Sequence, residues 1–192
     1  DWGQFRVAAG VGYRDGVVIN GGGTSAVITG GGIDLATASG VASIMHMPTG
    51  IFVTGNVGMG DGTLPYIGFG PILPSYAVDT KGWAVTAGVE ERWTKLGKTT
   101  VFGEYGDVKV DVERTFVCCA GTLTPSYELG VTYWGGGVVQ SIDAAALDLY
   151  ANVRFYDGSF NASWIQNPGN SGLLYELDAD AIVGTMGARI KF

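Results

Sequence analysis

Residues 178–192, DADAIVGTMGARIKF, decide how the rest of the chain is read. In steps of two, Ile182, Gly184, Met186, Ala188, Ile190 and Phe192 fall on one side. Val183, Thr185, Gly187, Arg189 and Lys191 fall on the other. Side chains alternate across a strand with period two, so the stretch reads as a β-strand with one apolar and one mostly polar face. It keeps that register to an aromatic, Phe192, where the last residues of a soluble domain usually fray.

Working back from it, the same alternation predicts seven more strands, at residues 3–14, 38–47, 51–59, 82–92, 99–106, 126–139 and 144–156. In the first, Phe5, Val7, Ala9, Val11 and Tyr13 oppose Arg6, Ala8, Gly10, Gly12 and Arg14. In the fourth, Trp83, Val85, Ala87 and Val89 oppose Ala84, Thr86, Gly88, Glu90 and Arg92. In the sixth, Tyr127, Leu129, Val131 and Tyr133 are assigned to the apolar face, against Glu128, Gly130, Thr132 and Trp134. Connections at 15–37, 60–81, 107–125 and 157–177 read as long loops, the first with a possible short hairpin at 26–29. Those at 48–50, 93–98 and 140–143 read as tight turns rich in Gly, Pro and Asp. Long and short connections alternate, and both chain ends fall on the side of the short turns.

Composition agrees with a sheet that exposes apolar surface. Of 192 residues, 46% are hydrophobic and only 15% charged, against about a quarter charged in ordinary soluble chains. Thirty-three glycines leave little to build helices from. The uncharged run 35–60 is long enough for a membrane helix, but Pro48-Thr49-Gly50 breaks it into two strands and a turn. Residues 1–3 are not the basic start of a signal peptide, which is read as a leader removed or a numbering that begins inside a longer chain. The net charge of −7 argues against nucleic acid as a partner.

Short alternating strands also suit a soluble β-sandwich. A sandwich core cannot hold Arg6, Glu90, Glu104, Asp148, Arg154 and Arg189 unpaired in mid-strand, whereas a water-filled lumen can. Aromatics near strand ends match the girdles of membrane barrels. The expected fold is therefore all-β: a transmembrane antiparallel up-and-down β-barrel with about eight strands in this chain.

Several segments resemble the porins of alphaproteobacteria. They are SIMHMPTGIFVTG (43–55), GWAVTAGVEERWTKLGKTTVFGEYGDV (82–108), WGGGVVQSIDAAALDLYANVRFYD (134–157) and the opening stretch. The terminal strand also resembles the one that the barrel-assembly machinery recognises, with Met186, Ile190 and Phe192 as the assembly signal. The resemblance implies the C-terminal half of a sixteen-stranded, homotrimeric general-diffusion porin of the bacterial outer membrane. Such a protein is a water-filled channel for small hydrophilic solutes and ions, in contact with outer-membrane lipid and lipopolysaccharide. The alternative is a small closed eight-stranded barrel with a structural or adhesion role. Eight strands leave an interior that side chains fill, and sixteen leave an aqueous channel. The many small residues expected inside, such as Gly10, Gly12, Gly58, Gly88 and Gly187, favour the larger barrel.

The face expected to line the pore carries Arg6, Arg14, Glu90, Arg92, Glu104, Glu128, Asp148, Arg154, Arg189 and Lys191. Most other carboxylates fall in the long loops, giving an acidic outer mouth that includes Asp107, Asp111, Glu113, Glu176, Asp178 and Asp180. Two arrangements are open for the arginines. Arg6, Arg154 and Arg189 face an acidic loop across the pore and set up a transverse field, or they pair within the wall, Arg154 with Asp148 or Glu104. Of the mouth residues, Glu176, Asp178 and Asp180 are the best placed to share a divalent ion with lipopolysaccharide, although solvated carboxylates are the simpler reading.

Little else suggests chemistry. An outer-membrane hydrolase needs a nucleophile beside a base. The single histidine, His46, sits next to the Pro48 turn with no partner fixed by spacing. Cys118 and Cys119 are adjacent and lack metal-ligand spacing; they read as two thiols or one strained vicinal disulfide. The glycine runs at 21–23, 30–32 and 135–137 precede no Lys-Ser/Thr pair and are not phosphate loops. The chain is read as a non-enzyme with no cofactor and no metal.

Overall fold

The computed structural model describes residues 3–18, 33–64, 76–114, 116–118, 121–166 and 170–190. They form one antiparallel sheet. Its strands are β1 Phe5–Val18, β2 Ile33–His46, β3 Ile51–Leu64, β4 Tyr76–Thr94, β5 Gly97–Arg114, β6 Phe116–Cys118, β7 Gly121–Ile142, β8 Leu147–Gln166 and β9 Asn170–Ile190. Each long strand pairs with the next, in the order β1-β2-β3-β4-β5-β7-β8-β9, and the three-residue β6 folds back on β7. The up-and-down order of eight long strands is the one the alternation predicts.

Two expectations are corrected. The strands run far beyond the predicted limits, to 22 residues in β7. Most of 107–125 and 157–177, taken as loops, is β5, β6 and β7 or β8 and β9. Those segments still alternate, but with the polarity of the two faces exchanged, which hides them from a search for one continuous apolar face. Second, β1 and β9 are the two edges of the sheet. Among the described residues no pairing joins them, so the pairing that the closed eight-stranded alternative requires is not found. The possible hairpin at 26–29, with Cys119, Lys191 and Phe192, lies outside the described residues.

Three tight turns gather at one end: residues 47–50, 95–96 and a 3₁₀ turn at Asp143–Ala145. In the first, Gly50 has φ +64 and its carbonyl accepts a 2.9 Å hydrogen bond from the Glu90 N–H. A side chain there would strike the Glu90 backbone. Glycine is thus required both by the left-handed conformation and by the close approach.

The ladder register sorts the side chains into two faces. On the first, Phe5, His46, Ile51, Val89, Val101, Val138, Ala151 and Met186 share one transverse row. Further rows of the same face contain Val11, Val57 and Trp83, and Tyr105, Trp134, Phe155 and Ile182. This Trp83 face is apolar and open: Val11 is 95% exposed and Met186 86%. Among the described residues the buried apolar side chains are Ala84, Ala162 and Pro125. A water-soluble chain of this size would bury far more of its apolar surface.

The apolar band ends abruptly. On β9 it spans Ile182 to Ile190, roughly 26 Å of strand. Its border carries Trp83, Tyr105, Trp134 and Phe155, with ring centroids 5.6 Å apart for Trp83–Tyr105 and 4.2 Å for the stacked Trp134–Phe155. One row further, Trp83 is followed by Asp107, Thr132, Asp157 and Asp180. Two rows beyond that, Asp15, Asp61, Asp79, Asp111, Glu128 and Glu176 lie in a single line across the sheet. The border sits beyond Tyr13 on β1 and Met59 on β3, but only beyond Phe155 on β8 and Ile182 on β9. It therefore crosses the register rows obliquely, as a plane cutting tilted strands would.

This register corrects the faces of β7. Trp134 pairs with Tyr105 and Phe155 on the apolar face, and Glu128 lies in the acidic row. Tyr127, Leu129, Val131 and Tyr133 lie on the opposite face. Both faces of β7 carry aromatics, so its own alternation could not decide between them.

Candidate functional site

At the level of the apolar band, the face opposite Trp83 carries Glu104, Asp148, Arg154 and Arg189. Its central row runs Thr86, Glu104, Gly135, Arg154, Val183 across β4, β5, β7, β8 and β9. Arg154 extends over Gly135 to reach Glu104 two strands away. Its Nε donates to Oε1 at 2.6 Å and its Nη2 to Oε2 at 2.9 Å. The guanidinium carbon also lies 5.6 Å from the Tyr133 ring centroid, and Tyr133 and Tyr156 are 5.7 Å apart. A planar guanidinium suits both the two-pronged contact and the ring face.

Nearer the short turns, Asp148 accepts hydrogen bonds from Ser141 Oγ at Oδ1 and from Arg189 Nη2 at Oδ2, both 2.8 Å. Glu90 accepts from Lys98 Nζ at 2.5 Å, and Arg92 Nη2 donates to Asp143 at 2.8 Å. The two central pairs have a common polarity. The Glu104 and Asp148 side chains are only 8% and 3% exposed, while their partners Arg154 and Arg189 are 39% and 69% exposed. The carboxylates lie against the sheet and the guanidinium groups cover them. The exposed end of each neutral pair is thus the cationic one.

The structure thus answers the question left open for the arginines. Among the described residues Arg154 and Arg189 pair within the sheet, with Glu104 and Asp148 respectively. Arg6 lies on the same face, in the row of Met45, Phe52 and Phe102. Glu90 and Arg92 fall at the short-turn end, tied to Lys98 and Asp143.

The six acidic residues expected at the mouth all lie in strands, including Asp107, Asp111, Glu113 and Glu176, which fall in segments read as loops. Asp107, Asp111 and Glu113 belong to β5, and Glu176, Asp178 and Asp180 to β9. All six share the Trp83 face beyond its aromatic border, so they do not line the Arg154 face. Asp107 accepts a 3.0 Å hydrogen bond from Thr132, and Lys81 lies 3.7 Å from Asp111. Glu176, Asp178 and Asp180 are spaced along β9 two residues at a time. Among the described residues no group of three His, Cys, Asp or Glu side chains is arranged to hold a metal ion.

Of the residues expected to form the assembly signal, Met186 and Ile190 are exposed on the apolar face. His46 is on that face too, with its ring 5.0 Å from Phe5 and its Nδ1 2.8 Å from Thr49 Oγ1. These contacts fasten the first short turn. Cys118 pairs with Gly121 near the tip of the β6–β7 hairpin.

One feature of the site escaped the sequence reading: which side chains its inward glycines meet. Gly10, Gly12, Gly58 and Gly82 help line a groove of about 770 Å³, together with residues of both faces that include Tyr133 and Trp83. Gly135 to Gly137 lie in the middle of β7, where two of them share rows with the largest side chains of the face. Gly135 lies beside Arg154, and Gly137 beside Phe102. The run of three glycines was visible, but its partners were not, because they lie on other strands.

Comparison with models of known protein families finds no match, and comparison with curated proteins finds none either. Among the described residues no helix is long and apolar enough to cross a membrane, which does not bear on strands.

Proposed function

We propose that this chain is part of a β-barrel of the bacterial outer membrane. Its Trp83 face would turn to lipid and its Arg154 face would line a water-filled channel for passive diffusion of small hydrophilic solutes and ions. The observation that carries the reading is the abrupt change on the Trp83 face. An exposed apolar band ends on Trp83, Tyr105, Trp134 and Phe155 and gives way within one row to carboxylates. A bilayer explains both halves of that change, since apolar side chains are favoured against lipid and aromatics at the interface.

The other face supports a lumen. Ion pairs and glycines in mid-strand suit water and not a packed core. Among the described residues β1 and β9 have no partner on their outer sides, which supports membership of a larger barrel, because unpaired backbone groups are not tolerated in hydrocarbon. The resemblance to the C-terminal half of sixteen-stranded porins points to the same arrangement. It adds a homotrimer, insertion by the barrel-assembly machinery through the terminal strand, and contact with lipopolysaccharide near the acidic rows. No catalytic role is assigned to any residue.

Planar-bilayer recording of the purified protein tests the proposal. Stepwise, ohmic conductance increments are expected. A correctly folded, membrane-inserted protein that leaves the bilayer electrically silent would remove the channel and leave a structural barrel wall.

A further inference from the structure

On the Arg154 face, three large side chains lie over glycines of neighbouring strands. The Tyr133 ring on β7 covers Gly106 on β5, so close that a Cβ at Gly106 would lie 2.5 Å from it. The Tyr150 ring on β8 covers Gly187 on β9 in the same way, 2.5 Å from the place of a Cβ. Phe102 reaches over Gly137, with 2.8 Å to the corresponding Cβ position. Register makes these seats, since Gly106 and Tyr133 are direct cross-strand partners, as are Tyr150 and Gly187. A residue with a Cβ in those places would force the ring away from the wall.

We infer that Gly106 and Gly187 are size-determining residues of the channel. By giving Tyr133 and Tyr150 a seat, they keep two bulky rings flat against the wall and hold the bore open. The inference rests on the channel reading above and deepens it. It makes the limit on solute size depend on residues that need not touch the solute. Gly106 and Gly187 are the informative pair because the three atoms nearest to each Cβ position all belong to a tyrosine side chain. At Gly137 the Ala151 carbonyl is also in the way, at 2.7 Å. Substitution there would disturb the sheet itself.

The test compares the full-length wild type with G106A, Y133A and the double variant in liposomes, using the permeation rate of a disaccharide relative to a monosaccharide. A second set, G187A, Y150A and their double variant, covers the case in which one set does not fold. G106A is expected to lower the ratio at least twofold, and the double variant to restore it to the level of Y133A. A wild-type ratio in both glycine variants overturns the inference, as does a reduction that persists in the double variants. Nitration of Tyr133, mapped by mass spectrometry, separates this outcome from failure of the channel reading. If the wild type is impermeable, the channel reading falls. Nitration of Tyr133 at least twofold faster in G106A would still support the seat, and an unchanged rate would overturn it.

Discussion

Arg154 on β8 crosses the full width of β7 to clasp Glu104 on β5, with bonds of 2.6 and 2.9 Å. The strand between them contributes only Gly135 at that row, which leaves the path clear. The result is a cation laid over an almost buried anion.

Removing the cover should therefore cost more than an exposed ion pair would. Arg154→Ala strips Glu104 of two charge-assisted hydrogen bonds and is expected to lower stability by about 1–3 kcal/mol. It should also raise the preference for cations, because the cationic end of the pair is the exposed one. Urea unfolding in detergent measures the first effect, and potassium/chloride reversal potentials measure the second. An unaltered reversal potential would show that the pair has no part in selectivity.

The apolar band predicts a sharp positional contrast on one strand. Val153 and Asp157 lie two rows apart on the same face of β8. Val153→Arg puts a charge within the band and should destabilise the inserted protein by roughly 2–4 kcal/mol. Asp157→Arg lies beyond the aromatic border and should change stability by less than about 0.5 kcal/mol. Folding equilibria in lipid vesicles would reveal the contrast, and equal effects would count against a membrane-facing band.

Like charges stand directly opposite one another in the acidic row, where Asp61, Asp79 and Asp111 occupy consecutive strands. Such pairs oppose strand pairing. Asp79→Asn should strengthen the upper ends of β3, β4 and β5 by a few tenths of a kcal/mol, and added salt should do the same in the wild type. Amide exchange at residues 76–80 and 109–113 should slow in both cases. Faster exchange in Asp79→Asn would mean that the carboxylate is held by favourable contacts instead.

The short turn after β2 depends on one glycine. Gly50 combines φ +64 with a close approach to the Glu90 backbone. Gly50→Ala should cost about 1–3 kcal/mol, and more if the 2.9 Å hydrogen bond from Glu90 N–H is broken. Thermal unfolding would register the loss, and a variant as stable as the wild type would show that the turn adapts freely.

The sequence by itself determined that the chain is a series of antiparallel strands, because period-two alternation is a local property and persists whatever the neighbours are. It also identified the mid-strand charges Glu104, Asp148, Arg154 and Arg189, and the turns it placed at 48–50 and 93–98, which the structure has at 47–50 and 95–96. It did not determine the reach of the strands, since above the aromatic border the polar and apolar faces exchange places. Nor did it orient β7, where Tyr133 and Trp134 are equally plausible inward residues until Tyr105 and Phe155 are seen beside Trp134. Only the tertiary structure decided these matters, together with the partner of Arg154, the glycine seats and the place of β1 and β9 at the edges of the described sheet. The physical reason is the same in each case. A strand specifies its own alternation, but a face, a salt bridge across three strands or a ring lying on a neighbour's glycine exists only once the register between strands is set.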